Sequence, residues 1–235
     1  MGRHFEVRAA AMAATAKKKS AIYMRASKEI YMAAKSGTPD PNSNLALRSA
    51  IEKYRKDCPR DVIDRAIKKA QGGSGESYIS GRYEAMGPGG SLIVIDTLTD
   101  NVNRALVDVR TAVTRKGGHL ASVAYNFTMY GIFDFKGDEA LKGQVEEALI
   151  LNDINVAEIT LEDGYIEVLV EPSDFDKART ELQGLGISEF ENAKVTLIPN
   201  EYIDLDGEEL EKFKNLLDAL DDVDDVQEVY HNVNL

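Results

Sequence analysis

The sequence predicts an α+β protein in which an N-terminal helical domain is followed by two ferredoxin-like α/β domains, one inserted in the other. Three observations carry this reading. Apolar residues recur at helical spacing as far as residue 71, a Gly-Gly-Ser-Gly stretch then intervenes, and beyond it the period falls to two-residue alternation and continuous β-type runs. The later elements also contain a βαββαβ series, which is the split-βαβ, ferredoxin-like order. The expected division is 1–75 for a basic helical domain, 76–129 with 200–235 for a discontinuous α/β domain, and 130–199 for the inserted one.

In the helical part, Ile22, Ala26, Ile30 and Ala33 form one buried stripe over residues 22–36, with Gly37 at the C′ position where helices often stop. After Thr38-Pro39-Asp40-Pro41, one of Asn42, Ser43 or Asn44 caps a helix running to about Lys56 with Leu47, Ala50, Ile51 and Tyr54 inward. Pro59 suits the first turn of a third helix that buries Val62, Ile63, Ala66, Ile67 and Ala70. Gly72-Gly73-Ser74-Gly75 is the linker.

Two strands are expected over 78–85 and 91–98, joined by a hairpin turn at Gly87-Pro88-Gly89-Gly90, then a helix over 101–116 and a strand over 120–127. The next elements are a strand over 132–135, a helix over 138–151 and a strand over 156–161. A turn at Asp163-Gly164, a strand over 165–170, a helix over 173–185 and a strand over 195–198 complete that series. A last helix over 207–220 and strand over 226–231 supply what 78–127 lacks to become two helices on a four-stranded sheet, which is why 200–235 is assigned to the discontinuous domain.

Charge is divided sharply along the chain. Residues 1–71 hold 16 Lys and Arg against 7 Asp and Glu, net +9, while 72–235 hold 12 against 33, net −21. A cationic module joined to an anionic one is expected of a protein whose head meets a polyanion while its body repels it. Nucleic acid is therefore the expected partner. On 22–36, Lys28, Tyr31 and Lys35 fall on one stripe with Arg25 close by; Arg48 and Arg55 are seven apart, Arg65 and Lys69 four apart, and Lys17-Lys18-Lys19 precede them all. The lysines and arginines are expected to neutralise phosphates, and Tyr31 to stack on a base. A solvated helix face is the plain alternative for each of them singly. The final helix lacks a base-reading set of Arg, Asn and Gln at its start, so recognition of backbone or shape, including that of folded RNA, is as well supported as reading an operator.

Other signals lead away from catalysis. The Gly-Pro-Gly-Gly turn is followed by a strand and carries no Lys-Ser/Thr pair, so it is not a phosphate loop. Asn101, Asn103 and Arg104 stand at a strand-to-helix junction, where an anion site competes with simple capping. His4, His119 and His231 have no metal-ligand spacing, and the acidic run from Asp218 to Asp225 lacks an EF-hand's glycine and glutamate, so it is expected to be a solvated turn. The single cysteine, Cys58, excludes a disulfide framework and has no base to activate it. No enzymatic activity, cofactor or metal is expected. No apolar run is long enough for a membrane helix. The Arg- and Ala-rich opening shares the composition of an organellar transit peptide but runs unbroken into the helical unit, so a cytoplasmic setting fits best.

Several words of the sequence resemble the YebC/PmpR family: Gly37-Thr38-Pro39-Asp40-Pro41-Asn42, Leu47-Arg48-Ser49-Ala50-Ile51 and Val62-Ile63-Asp64-Arg65-Ala66-Ile67 in the head, and Tyr83-Glu84-Ala85-Met86-Gly87-Pro88-Gly89-Gly90, Asp100-Asn101-Val102-Asn103-Arg104 and Asp225-Val226-Gln227-Glu228-Val229-Tyr230-His231-Asn232 in the body. The likeness covers nearly the whole chain and is greatest to the shorter YeeN-like branch. It implies a helical domain and two α/β domains, the second interrupted by the third, and no enzymatic activity. It also implies a DNA-binding transcriptional regulator, or alternatively a ribosome-associated translation factor that binds ribosomal or transfer RNA and relieves stalls on proline-rich stretches. A protein-interaction scaffold is the competing reading from another class. The chain departs from the family words at Gly2-Arg3-His4-Phe5-Glu6-Val7-Arg8, and in a shortened Gly117-Gly118-His119-Leu120-Ala121-Ser122-Val123-Ala124-Tyr125.

Overall fold

The computed structural model describes residues 16–72, 75 and 77–235, leaving aside the side chains of residues 16–18. The Arg- and Ala-rich opening, the unusual word at Gly2 to Arg8 and the side chains of Lys17 and Lys18 lie outside the described residues. The described chain forms two compact units, one of residues 127–198 and one of residues up to 126 together with 199–235.

The larger unit begins with three helices, α1 (Ala16–Lys35), α2 (Leu45–Tyr54) and α3 (Arg60–Gln71). Helix α1 packs against both others around Ala26, Ile30, Ala34, Leu47, Ala50, Ile63 and Ala66. Asn44 fixes the first bend. Its Oδ1 accepts the Leu47 N–H as the α2 cap, while its amide donates to the Ala33 and Thr38 carbonyls at 2.9 and 2.8 Å. Gly37 is not in the left-handed region that a C′ glycine usually occupies. It is glycine because a Cβ there would lie 2.8 Å from the Asn44 amide nitrogen.

Strands β1 (Ile79–Met86) and β2 (Leu92–Thr99) form an antiparallel hairpin with Tyr83 opposite Ile95. Helix α4 (Val102–Arg115), capped by Asn101, leads to the two-residue β3 (His119–Leu120), and the chain returns as α7 (Gly207–Asp221) and β9 (Val226–His231). The sheet order is β3-β1-β2-β9. Helices α4 and α7 bury Val109, Val113, Phe213, Leu216 and Leu220 against Ala85, Ile93 and Ile95, each large side chain contributing roughly 1.5–3 kcal/mol. The continuous strand expected over 120–127 does not form. The Glu84 carboxylate takes the Val123 and Ala124 N–H groups at 2.6 and 2.7 Å, so these donors cap a turn instead of joining a ladder. A short parallel pairing of β8 (Ile203–Asp204) with β10 (Val233–Asn234) was not anticipated by periodicity, because two-residue strands have none.

The second unit runs β4 (Phe127–Lys136), α5 (Glu139–Leu151), β5 (Val156–Glu162), β6 (Tyr165–Val170), α6 (Phe175–Gly184) and β7 (Asn192–Pro199). Its sheet order, β5-β6-β4-β7, is that of the ferredoxin-like fold. Asp163 and Gly164 both have positive φ, at 51° and 76°, the pairing a tight two-residue hairpin demands. Phe133 stacks on Phe175 at 4.6 Å in a core closed by Phe135, Val145, Leu149, Ile166 and Leu182.

Candidate nucleic-acid interface

The basic residues of the helical module fall into two sets according to what lies opposite them. On α1, the Arg25 guanidinium donates from Nε to the Val226 carbonyl at 2.8 Å and pairs through Nη2 with Asp221 at 2.8 Å. One turn on, Lys28 Nζ meets Asp225 at 2.9 Å and donates to the Leu98 and Asp224 carbonyls. On α2, Lys53 bridges Glu29 at 2.9 Å and Glu228 at 2.8 Å, and the Tyr54 hydroxyl donates to Glu29 at 2.6 Å. Three cations of the head are thus held by Asp221, Asp225 and Glu228 at the end of the chain.

Asp225 is the centre of this joint, with its side chain 3% exposed. One oxygen accepts from Lys28; the other accepts from Thr99 Oγ1 and Arg104 Nη2, each at 2.8 Å. Burial alone pushes the Asp225 carboxyl up, but its bonds to Lys28, Arg104 and Thr99 outweigh that and hold it below the usual carboxylate range. Burial likewise pulls the Lys53 ammonium down, and the Glu228 and Glu29 carboxylates around it reverse the direction, so it stays charged.

Several sequence expectations are corrected here. Arg25 and Lys28 do not face solvent as phosphate contacts, because Asp221 at the end of α7, Asp224, Asp225 and Val226 at the start of β9 take up their charged ends. Tyr31 is 2% exposed and meets Tyr78 edge-on at 5.9 Å, so its ring cannot accept a stacked base. The acidic run is not simply a solvated turn, since Asp221 and Asp225 hold the head. At the junction before α4, the Asn101 side chain caps the Arg104 N–H, and the Arg104 guanidinium is drawn to Asp225 and to Asp100, at 2.8 and 2.6 Å. Those bonds raise its pKa, so Arg104 serves the joint; Asn103 is left exposed beside it, and no anion site is assembled there.

The remaining candidates stay on the surface. Lys19, Lys35, Arg48, Arg55, Arg65 and Lys69 are exposed, and so are Lys56, Arg60 and Lys68, which share no four- or seven-residue spacing with the stripes, although Lys56 stands beside Arg55 and Lys68 beside Lys69. Arg48 donates to the Pro41 and Asn42 carbonyls, which orders the loop without neutralising the charge. Arg65 pairs with Asp61 at 2.7 Å and Arg60 with Asp64 at 3.7 Å, both as exposed pairs along α3 of the kind that contribute about 0–1 kcal/mol.

Two depressions flank this surface. One, of about 560 Å³, is lined by Glu29, Lys53, Arg82, Asp96, Glu228 and Tyr230 among others; Lys53 and Arg82 are held by the carboxylates beside them, which suits no anion. The other, of about 500 Å³, lies between α1 and α3, is lined by Tyr23, Met24, Tyr31, Val62 and Tyr78, and has only cations among its charged residues. Among the described residues no helix is long and apolar enough to cross a membrane, and no group of three or more metal-ligating side chains lies together.

The same architecture occurs in known proteins. A conserved hypothetical protein, Aq1575, from Aquifex aeolicus superposes with a TM-score of 0.76 at 29% identity, covering 92% of this chain and 90% of that one. A probable transcriptional regulatory protein of Mesoplasma florum, Mfl546, is 46% identical over all of both chains, and another probable transcriptional regulatory protein, of Vibrio campbellii, is 44% identical over all of both. The pattern of the TACO1/YebC protein N-terminal domain matches residues 3–73, and that of the TACO1/YebC second and third domain matches residues 78–233. Taken with the shared fold, these matches place the chain in the TACO1/YebC family.

Proposed function

We propose that this protein is a non-catalytic, nucleic-acid-binding regulator of gene expression, in keeping with the regulatory names its relatives carry. One observation supports this above the others. After Arg25, Lys28 and Lys53 have been committed to the joint, the helical module still presents nine exposed Lys and Arg among its described residues, while the rest of the chain is net −21. Such a module attracts a phosphate backbone through its own exposed face.

Transcription regulation by binding duplex DNA is the leading form of this reading. Binding to structured RNA at the ribosome is the second, favoured by α3. The first turns of that helix bear Asp61 and Asp64 beside Arg60, and carboxylates there oppose the insertion of its start into a major groove. Duplex DNA and a folded RNA of equal phosphate number, titrated with the full chain across a salt series, test both. With about six phosphates neutralised, log K against log salt has a slope of about −5 on duplex. A slope near zero on both probes rejects the reading, and a difference between them decides which form is correct.

A further inference from the structure

The groove between α1 and α3 combines an apolar floor with a lining whose charged residues are all cations. Its floor is apolar and almost fully buried, made by Tyr31, Val62 and Ala66. Tyr23 and Tyr78 are only partly buried, and Met24 is 37% exposed, a large apolar side chain left open to solvent at the groove's edge. The charged residues that line it, Lys28, Arg65 and Lys69, are all cationic. Its volume of about 500 Å³ is within the roughly 300–1,000 Å³ typical of ligand pockets. A fitting occupant is flat and apolar over its body and anionic along its edge.

We propose that this groove seats an unpaired base of a single-stranded nucleic acid, with Tyr23 supplying the stacking face, Tyr78, whose ring carries the Lys28 ammonium at 5.7 Å, closing the wall, and the Arg65 and Lys69 cations beside the flanking phosphates. The proposal rests on the nucleic-acid reading above and names the substrate form that reading leaves open. A base inside a duplex is already stacked on both sides, so only a strand with exposed bases can use the groove. Arg65 exchanges its exposed partner Asp61 for phosphate at little cost, since such pairs are weak. Lys28 stays with Asp225 and keeps the wall in place. The stacking role thus belongs to Tyr23, while Tyr78 and Tyr31, in edge contact with each other, form the wall and the floor.

The test uses the full chain with a labelled oligothymidylate of about 12 nucleotides and an abasic strand of the same length and charge, at one salt concentration. The base-bearing strand is expected to bind about 5- to 100-fold more tightly, as one or two stacked bases require. Tyr23→Leu, which keeps an apolar side chain against the helical core, and Met24→Glu, which alters an exposed position only, both abolish that preference while abasic binding persists. Equal affinity for the two wild-type strands overturns the base seat and leaves nucleic-acid binding standing. Binding of duplex or folded RNA without binding of either single strand has the same meaning. Failure of every nucleic-acid probe removes the underlying reading itself. Self-association that Met24→Glu abolishes, with no dependence on bases, gives the groove to a second copy of the chain and also overturns the proposal.

Discussion

Replacing Lys28 by Met separates the two roles a basic residue of the head can have. In the structure Lys28 is 12% exposed and pairs with an Asp225 that is 3% exposed, so the substitution removes a partner from a nearly buried carboxylate. Stripping one member of an isolated buried pair costs roughly 3–5 kcal/mol. Here Arg104 and Thr99 remain on the other oxygen at 2.8 Å, and the Met chain retains much of the apolar contact. The loss is then that of one charge-assisted bond and the two carbonyl contacts beside it, about 2 kcal/mol. For a chain of this length that lowers the melting temperature by roughly 4–8 °C. Arg55→Gln, at an exposed position, is expected to change stability by less than about 0.5 kcal/mol. Binding data should show the opposite pattern: Arg55→Gln flattens the salt slope on duplex by about 0.9 if that side chain meets a phosphate, and Lys28→Met leaves the slope unchanged. A Lys28→Met protein that melts like the wild type while its slope falls would refute the assignment of Lys28 to the joint.

Three further outcomes follow from single residues. Asn44→Ala loses the α2 cap and two amide donations to Ala33 and Thr38, and is expected to cost about 2 kcal/mol in urea unfolding, with the effect concentrated in the helical module. Burial pushes the His231 imidazole down to about 4, and its Nδ1 accepts the Val233 N–H, which requires the neutral ring. Its contribution is therefore complete above the free value of about 6.5 and drains away as pH falls toward about 4, with a slope of up to about 1.4 kcal/mol per pH unit that is missing in His231→Phe. Burial, with Asp57 adding to it, pushes the Cys58 thiol up to about 11, so iodoacetamide at a pH of about 8 should leave the native chain unmodified and label it once urea has unfolded it.

Most elements of the fold were legible because each is long enough to show its period. The strands over 165–170 and 226–231 fall where alternation places them, and Asn44, Asn101 and Asp138 cap where short polar residues precede apolar stripes. Legibility ended where one side chain from far along the chain captured backbone groups. Glu84 does this to Val123 and Ala124, 39 and 40 residues away, and turned an expected strand into a turn. The candidate site was legible only in part, for a related reason. Helical spacing reveals that Lys28, Tyr31 and Lys35 share a stripe, but not whether water or protein covers it. Asp221 and Asp225 lie almost 200 residues from the lysine and arginine they hold, and they read as one more solvated acidic run.

The charge division along the chain is therefore resolved by burial into two separate uses. At the joint, Lys28 faces an Asp225 that is nearly out of water, where salt screens little and where a phosphate could enter only by displacing the Lys28 pair and leaving Arg104 as the counter-charge of Asp225, and Arg25 is held beside it by Asp221. On the outer faces of α2 and α3 the cations are solvated, their carboxylate partners are weak, and counterions can be released. Raising the salt concentration should then strip nucleic acid from the outer faces well before it loosens the head from the α/β layer. Because the head is held by its own acidic neighbours, it meets a polyanion with Asp221, Asp225 and Glu228 fixed against its inner face, where they repel phosphate. On the proposed reading, contact falls to the surface that the joint leaves open, and the groove beside Arg65 and Lys69 is part of that surface.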